Sequence, residues 1–447
     1  MIDGSKRTVN LLSIISLTLS LFIAIPSAQA VPAFARQMGM PCSGCHFQHF
    51  PLLNAFGRAF KASGFTITGT STIDSEHFSL PSNLNAAIFT NLRYQKSNGK
   101  DRNTCDNKGN CTDYSANKGE LIIPGETSLF VGGRVSPHVG GLIEGDVGAG
   151  GLNGGGFLAS IKVPVMHSVT DTINGLIVPF SAGLGPAYAF ETLNTGAVGN
   201  HLMNLVTPTA ISAQQYIQVG TNSQTEGDAE GLAAVLVNSD FFVTAARWSP
   251  NHSPVDASSN STPPTSDYIR AAYTPQIGEY DVGMGLQYYT GHSRVIDSGN
   301  SSTSYATKQF AVDGQIQGHI DKYNMPFGVY LSFAEAPASK AGDPNLYNAG
   351  LKTKEAASIS AELGAFHGGT GTIQVAYRWG RSGDATYSSD DATTLGVTDQ
   401  FYDNVQLALY ETWYSGSAHS AAANGLGVMD GNGSGTSLTS VNLAVGF

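Results

Sequence analysis

From Leu84 to the C-terminus, apolar and polar residues alternate in segments of about ten, each bounded by turn residues. A period of two is that of a β-strand with one wet face and one dry face, and its repetition along a chain is the pattern of a transmembrane barrel. The alternation predicts strands at 84–94, 121–135, 139–147, 156–166, 171–180, 229–237, 240–248, 267–275, 279–290, 308–319, 325–335, 354–364, 371–380, 391–400, 404–413 and 438–447, sixteen in all.

Connection lengths test the count, because such barrels have short turns on one side and long loops on the other. Short connections follow the even-numbered strands, whereas 95–120, 181–228, 249–266, 291–307, 336–353 and 414–437 are long. A strand at Gln215 to Gly220 would break that order, so this stretch belongs to the large outer loop. Val441, Leu443 and Val445 alternate outward to a terminal Phe447, as in the assembly signal of bacterial outer-membrane barrels. Trp248, Trp379 and Trp413 fall at the outer ends of strands, the level of an interfacial aromatic girdle. If Val312, Ile359 and Ile373 face lipid, then Asp313, Gln315, Glu362, Gln374 and Arg378 face a polar lumen.

Composition agrees with this reading. Of 447 residues only 13% are charged, against roughly 25% in ordinary soluble domains. Residues 1–30 read as a signal peptide, with Lys6 and Arg7 before the apolar stretch Leu11 to Ile25 and a small-residue site at Ala28-Gln29-Ala30. Cleavage there removes Asp3, Lys6 and Arg7, and the formal charge moves from −11 to −12. An acidic surface argues against nucleic acid and suits cationic partners.

The first segment of the exported chain, 31–80, does not alternate. It contains Pro41-Cys42-Ser43-Gly44-Cys45-His46. Two cysteines three apart and an adjoining histidine are the pattern of covalent c-type haem attachment: the thiols form thioethers and the imidazole ligates the iron. A structural zinc site would need four closed ligands, and the other cysteines, Cys105 and Cys111, stand in a different setting. A thioredoxin-like dithiol would need a βαβ context, and none follows. A short helix is expected over Leu52 to Ala62, presenting Leu53, Phe56 and Phe60 on one face. Arg36, Arg58 and Lys61 are candidate partners of the haem propionates. The sixth iron ligand stays open among Met38, Met40, His49, a residue of the barrel wall and no ligand at all. Cys105 and Cys111, within the first long loop, are expected to form a disulfide in an oxidising compartment.

The run Pro32-Ala33-Phe34-Ala35-Arg36-Gln37-Met38-Gly39, followed by Cys42-Ser43-Gly44-Cys45-His46, Phe50-Pro51, Leu53-Asn54, Phe56-Gly57-Arg58, Phe60-Lys61 and Gly64-Phe65, resembles the N-terminus of the fused outer-membrane monohaem cytochrome-porins. The resemblance covers about 35 residues. Its best-known members oxidise ferrous iron at the cell surface. It implies one covalent haem in or below a sixteen-stranded barrel, carrying electrons from an extracellular donor, ferrous iron, to a periplasmic carrier. The expectation is thus an all-β transmembrane antiparallel barrel over 81–447 with a short monohaem c-type cytochrome segment over 31–80, held in outer-membrane lipid. A diffusion porin whose haem segment plugs or gates the lumen is the alternative, and an enzyme with an open iron site is a third reading.

Overall fold

The structure, a computed structural model, describes residues 33–76, 78–98, 102–105, 111–114, 119–147, 158–199, 202, 211–218, 228–251, 262–296, 302–419 and 435–447. The expected signal peptide lies outside them. Among the described residues three short α-helices, α1 (Ala33–Met38), α2 (Ala55–Ala62) and α3 (Ala213–Gln218), accompany a series of strands. These are β1 (Thr72–Asp74), β2 (Ser79–Pro81), β3 (Ala86–Ser97), β4 (Arg102–Cys105), β5 (Cys111–Tyr114), β6 (Glu120–Ser136), β7 (Val139–Asp146), β8 (Leu158–Lys162), β9 (Val165–Ser168) and β10 (Asn174–Ala182). There follow β11 (Ala229–Val237), β12 (Phe241–Ser249), β13 (Ser266–Tyr273), β14 (Gln276–Ile277), β15 (Tyr280–Ile296), β16 (Ser302–Ala306), β17 (Gln309–Ile320) and β18 (Met325–Ala336). The last five are β19 (Lys354–Phe366), β20 (Gly371–Arg381), β21 (Asp391–Tyr402), β22 (Val405–Ser415) and β23 (Ser437–Gly446).

Apart from two small hairpins, β1–β2 and β4–β5, every strand pairs antiparallel with its neighbour in a closed barrel. Closure is made by β23 on β3, in register from Leu438 opposite Ser97 to Gly446 opposite Phe89. Phe447 completes the seam, exchanging backbone hydrogen bonds with Ile88 at 2.7 and 2.8 Å. Counted as staves, with β8–β9, β13–β14 and β16–β17 each taken as one interrupted strand, the wall has sixteen members, the expected number. The break in the fourth stave falls at Pro164, whose missing N–H cannot join a ladder.

Burial follows the alternation. On β12, Phe242, Thr244 and Ala246 are buried in the lumen while Val243 is exposed. Trp248 shares the parity of the buried set and is fully buried against Tyr289, so it is not part of a girdle. Trp413, on the opposite parity of its strand, is 43% exposed. Asp313, Gln315, Glu362, Gln374 and Arg378 are all buried on the inner face, as expected.

Two segments fill space that an open pore would leave to water. The first is the expected outer loop 181–228, whose described residues turn inward. Glu191, Leu193, Asn194 and Ala213 are buried, and the stretch expected to be loop at Gln215 is helix α3. Arg270 on β13 joins this loop to the wall: its Nε donates to Glu191 Oε2 at 2.9 Å and its second amino group to Asp313 Oδ2 at 2.8 Å. Asn194 N donates to Gln315 Oε1 at 2.7 Å, and Ala213 N to Ser332 Oγ at 2.9 Å. The apolar residues Leu193, Ala197, Val198 and Ile217 explain the direction, since a water-facing loop would leave them wet.

The second is the N-terminal segment, which sits within the short-turn end of the barrel. Gln48 Nε2 donates to Pro326 O at 3.0 Å, Phe50 N to Gln400 Oε1 at 2.9 Å, and Gln406 Nε2 to Phe50 O at 2.7 Å. Arg134 Nη1 on β6 donates to Thr66 O at 2.8 Å, and its backbone N to Gln37 Oε1 at 2.9 Å. The Asn194 amide ties the two inserted segments together, accepting from Leu53 N and donating to Leu53 O, each at 2.9 Å.

Candidate functional site

Local chemistry sets the shape of the cysteine-histidine turn. Cys42–Gly44 form one turn of 3-10 helix, and His46 N donates to Cys42 O at 2.9 Å. The chain then reverses, with Phe47 N donating to Leu52 O and Asn54 N to Cys45 O. Asn54 caps α2, its Oδ1 accepting from Gly57 N at 2.9 Å, while its Nδ2 donates to Gly44 O at 3.1 Å. A side chain at Gly57 would collide with the Cys45 carbonyl, so glycine there lets α2 lie directly on the turn. The helix begins at Ala55, capped by Asn54, three residues later than expected, so Leu53 precedes it. Leu53 and Phe60 are buried, but Phe56 is 37% exposed, so the expected three-residue stripe reduces to two.

This turn forms one rim of a cavity of about 380 Å³ between the N-terminal segment and the barrel wall. Cys42, Cys45 and His46 line it together with Phe34, Phe60, Phe65, Phe89, Phe130 and Leu142. Phe34 stacks on Phe65 at 4.9 Å and meets Phe60 edge-on at 5.2 Å. The polar lining is Lys61 from α2, Glu126, Glu144 and Lys162 from the wall, and Asp403 and Asn404 from the turn before β22.

The donor set fits covalent haem. His46 Nδ1 donates to Leu52 O at 3.0 Å, which fixes the ring and leaves Nε2 as the nitrogen with a free lone pair. Burial, against the help of the Leu52 and Pro51 carbonyls, brings the His46 pKa down to about 4, so the ring is the neutral form that metals bind. Cys42 and Cys45 are both free thiols. Burial first, then Asp403 and Cys45, pushes the Cys42 thiol up to about 11, and burial raises that of Cys45. A redox dithiol is activated by a lowered pKa, so this pair is poorly suited to disulfide exchange. The aromatic walls suit a flat macrocycle, and Lys61 and Lys162 suit its carboxylates.

The other candidates are placed as follows. Arg36 donates to the carbonyls of Leu84 and Ala86, and Arg58 pairs with Asp281 on β15; neither lines the cavity. Lys61 does, its pKa lowered to about 8 by burial against the pull of Glu191. Met38 and Met40 pack in the apolar cluster around Phe60 and Phe65. Among described residues His49 is held elsewhere: its Nε2 lies 2.9 Å from Glu362 Oε2 and its Nδ1 2.9 Å from Phe50 O. Cys105 and Cys111 are direct register partners on the β4–β5 backbone, and their side chains lie outside the described residues. Sequence reasoning missed Lys162, which is buried, donates to Tyr188 O at 3.0 Å and sits 4.0 Å from the Tyr188 ring centroid. An inward lysine on an otherwise uncharged strand was the available signal.

The His49–Glu362 pair has a pH signature. Burial opposes charge on His49, but Glu362 and the Phe50 carbonyl outweigh it and raise the pKa above the ordinary 6.5. A raised pKa contributes stability that is fully present below the unfolded value and is lost as pH rises through the folded one. Amide-exchange protection of residues 47–54 is therefore expected to fall as pH climbs above 6.5, after correction for intrinsic exchange. Glu362→Gln should flatten that dependence; a wild-type profile without it would show that the pair does not hold the segment.

Neither protein-family models nor curated proteins match this chain. Solved barrels do. OprB of Pseudomonas putida, in its high-pH structure, superposes with a TM-score of 0.52 at 11% identity over 81% of this chain and 93% of its own. An anion-selective porin from Comamonas acidovorans gives 0.48 at 13% identity, over 81% and 98%. OmpF of Salmonella typhi, solved with daunomycin, gives 0.45 at 12%, over 84% and 100%. With the closed sixteen-stave wall, the OprB superposition places the chain in the fold class of outer-membrane porin barrels. Within this barrel the cysteine-histidine cavity lies at the short-turn end.

Proposed function

We propose that this chain is an outer-membrane c-type cytochrome-porin that carries electrons inward across the outer membrane. The observation behind it is the cavity in which Cys42, Cys45 and His46 meet apolar rings of both head and wall. Bound there, haem supplies a one-electron ferric–ferrous couple between an extracellular donor, ferrous iron in the reading the N-terminal resemblance implies, and a periplasmic carrier. Cys42 and Cys45 would tether the group, and His46 Nε2 would hold its iron. Phe34, Phe60 and Phe65 would keep water from it, while Lys61 and Lys162 would pair with its carboxylates. The apolar belt of such a barrel is about 25 Å tall, so a centre docked inside the wall shortens the gap that an electron must cross. The described inserted segments weigh against a wide diffusion pore.

Stopped-flow absorbance of the purified haem-loaded protein tests this. Mixing with excess ferrous iron under argon should develop the sharp reduced bands of a c-type haem. No reduction at any pH where the iron stays soluble would remove ferrous iron as donor.

A further inference from the structure

The carbonyl that fixes the His46 ring is itself held from the other end of the barrel. Leu52 O accepts from His46 Nδ1 at 3.0 Å and from Phe47 N at 2.9 Å, and Leu53 bridges to His46 across the chain reversal. The inserted outer loop meets this reversal at two adjacent residues. Asn194 is fully buried, and its amide treats Leu53 as a strand neighbour would: Oδ1 accepts from Leu53 N and Nδ2 donates to Leu53 O, each at 2.9 Å. Ile211 is buried in one apolar cluster with Leu52 and with Tyr330 of β18.

Both loop residues are backed by the wall. Asn194 N donates to Gln315 Oε1 on β17 at 2.7 Å, and Ala213 N, two residues after Ile211, donates to Ser332 Oγ on β18 at 2.9 Å. The Leu52 carbonyl and the Leu53 N–H belong to one planar peptide group. Asn194 Oδ1 therefore grips one edge of the same rigid plane whose other edge holds the His46 ring. Hydrogen bonds in series polarise one another, so an acceptor on Leu53 N–H also makes Leu52 O the better acceptor for His46 Nδ1. A hydrogen bond at Nδ1 makes the other ring nitrogen a stronger metal donor.

We propose that Asn194, supported by Ile211, is a positioning residue for His46: through the Leu52–Leu53 peptide group the inserted loop sets the orientation of the imidazole and the donor strength of its Nε2. The proposal rests on the proposed function in taking His46 as the iron ligand; the loop's hold on the ring does not need it. A stronger donor favours ferric over ferrous iron, so loosening that hold raises the reduction potential.

The test uses full-length protein in detergent and three substitutions that change no charge. In haem-loaded Asn194→Ala the midpoint potential should rise by up to about 59 mV, the one-electron equivalent of a tenfold change in the ferric–ferrous balance. Ile211→Ala and Gln315→Ala should move it less, in the same direction. Thr386→Ala, exposed on another outer loop, should leave it unchanged. Amide exchange over residues 46–54 should quicken about tenfold in Asn194→Ala, as a buried donor that loses its acceptor requires. Heat-modifiable gel mobility reports the barrel. Faster exchange with a wild-type potential reduces Asn194 to a structural contact and overturns the positioning role; unchanged exchange overturns the hold itself. A wild type that takes up no haem removes the proposed function, and exchange alone then decides whether the loop holds the ring.

Discussion

Replacing Cys42 and Cys45 together with alanine is expected to yield a barrel that keeps no haem through denaturation, whereas wild type made with a working haem-ligation apparatus should stay coloured on a denaturing gel if the proposed attachment holds. The loss should be complete rather than graded, because the proposed thioethers would be the covalent links and the chain's other cysteines lie on the separate β4–β5 hairpin. The barrel should persist, since its sixteen staves pair through their own ladders and none of the pairings passes through residues 33–69. His46→Ala should separate tethering from ligation: haem is expected to remain attached, with bands shifted by loss of the proposed proximal nitrogen. A colourless wild type under the same conditions would remove the cofactor from the proposal.

The wall is legible in the sequence because a two-residue period, sustained segment after segment, is satisfied by strands with one wet and one dry face, and each stave lies close to its expected position. The lumen is not. Alternation tells which residues face inward and says nothing of what they meet there. Trp248 carries the right parity for the interior, but its place near a strand end suggests a girdle. The length of loop 181–228 points outward, whereas its apolar content, Leu193, Val198 and Ile217, is the sign that it turns in. That Cys42, Cys45 and His46 share one cavity is legible because a single turn of chain carries all three. Its surroundings are not, since Lys162, Glu126 and Glu144 reach the cavity from strands far along the chain. Arg36 and Arg58 look equivalent to Lys61 as cations near the motif. Folding gives the first to backbone carbonyls and the second to Asp281, contacts that no local pattern encodes.

Arg270→Met should release the inserted loop. The guanidinium is fully buried between Glu191 of that loop and Asp313 of β17, both equally buried, so its removal strands two carboxylates out of reach of water. Breaking one side of a buried ion group costs about 3 to 5 kcal/mol. That strain falls on the weaker element. Asp313 belongs to a strand paired on both sides, whereas Glu191 belongs to a segment held by a few side-chain bonds, among them Asn194 to Leu53 and to Gln315. Local opening, not loss of the barrel, is therefore the expected response. In planar bilayers the variant should pass a larger and steadier current than wild type, and protease should nick it within 183–199 while the barrel keeps its heat-modifiable mobility. Neutralising all three positions, with Glu191→Gln and Asp313→Asn added to Arg270→Met, should recover part of the low conductance, because no unpaired charge then remains. Wild type already conducting as widely as the variant would mean that the loop does not occlude the lumen, and the diffusion-porin reading would take precedence. Low wild-type current combined with fast haem reduction is the outcome an electron conduit requires, since it moves charge between compartments without opening a path for solutes.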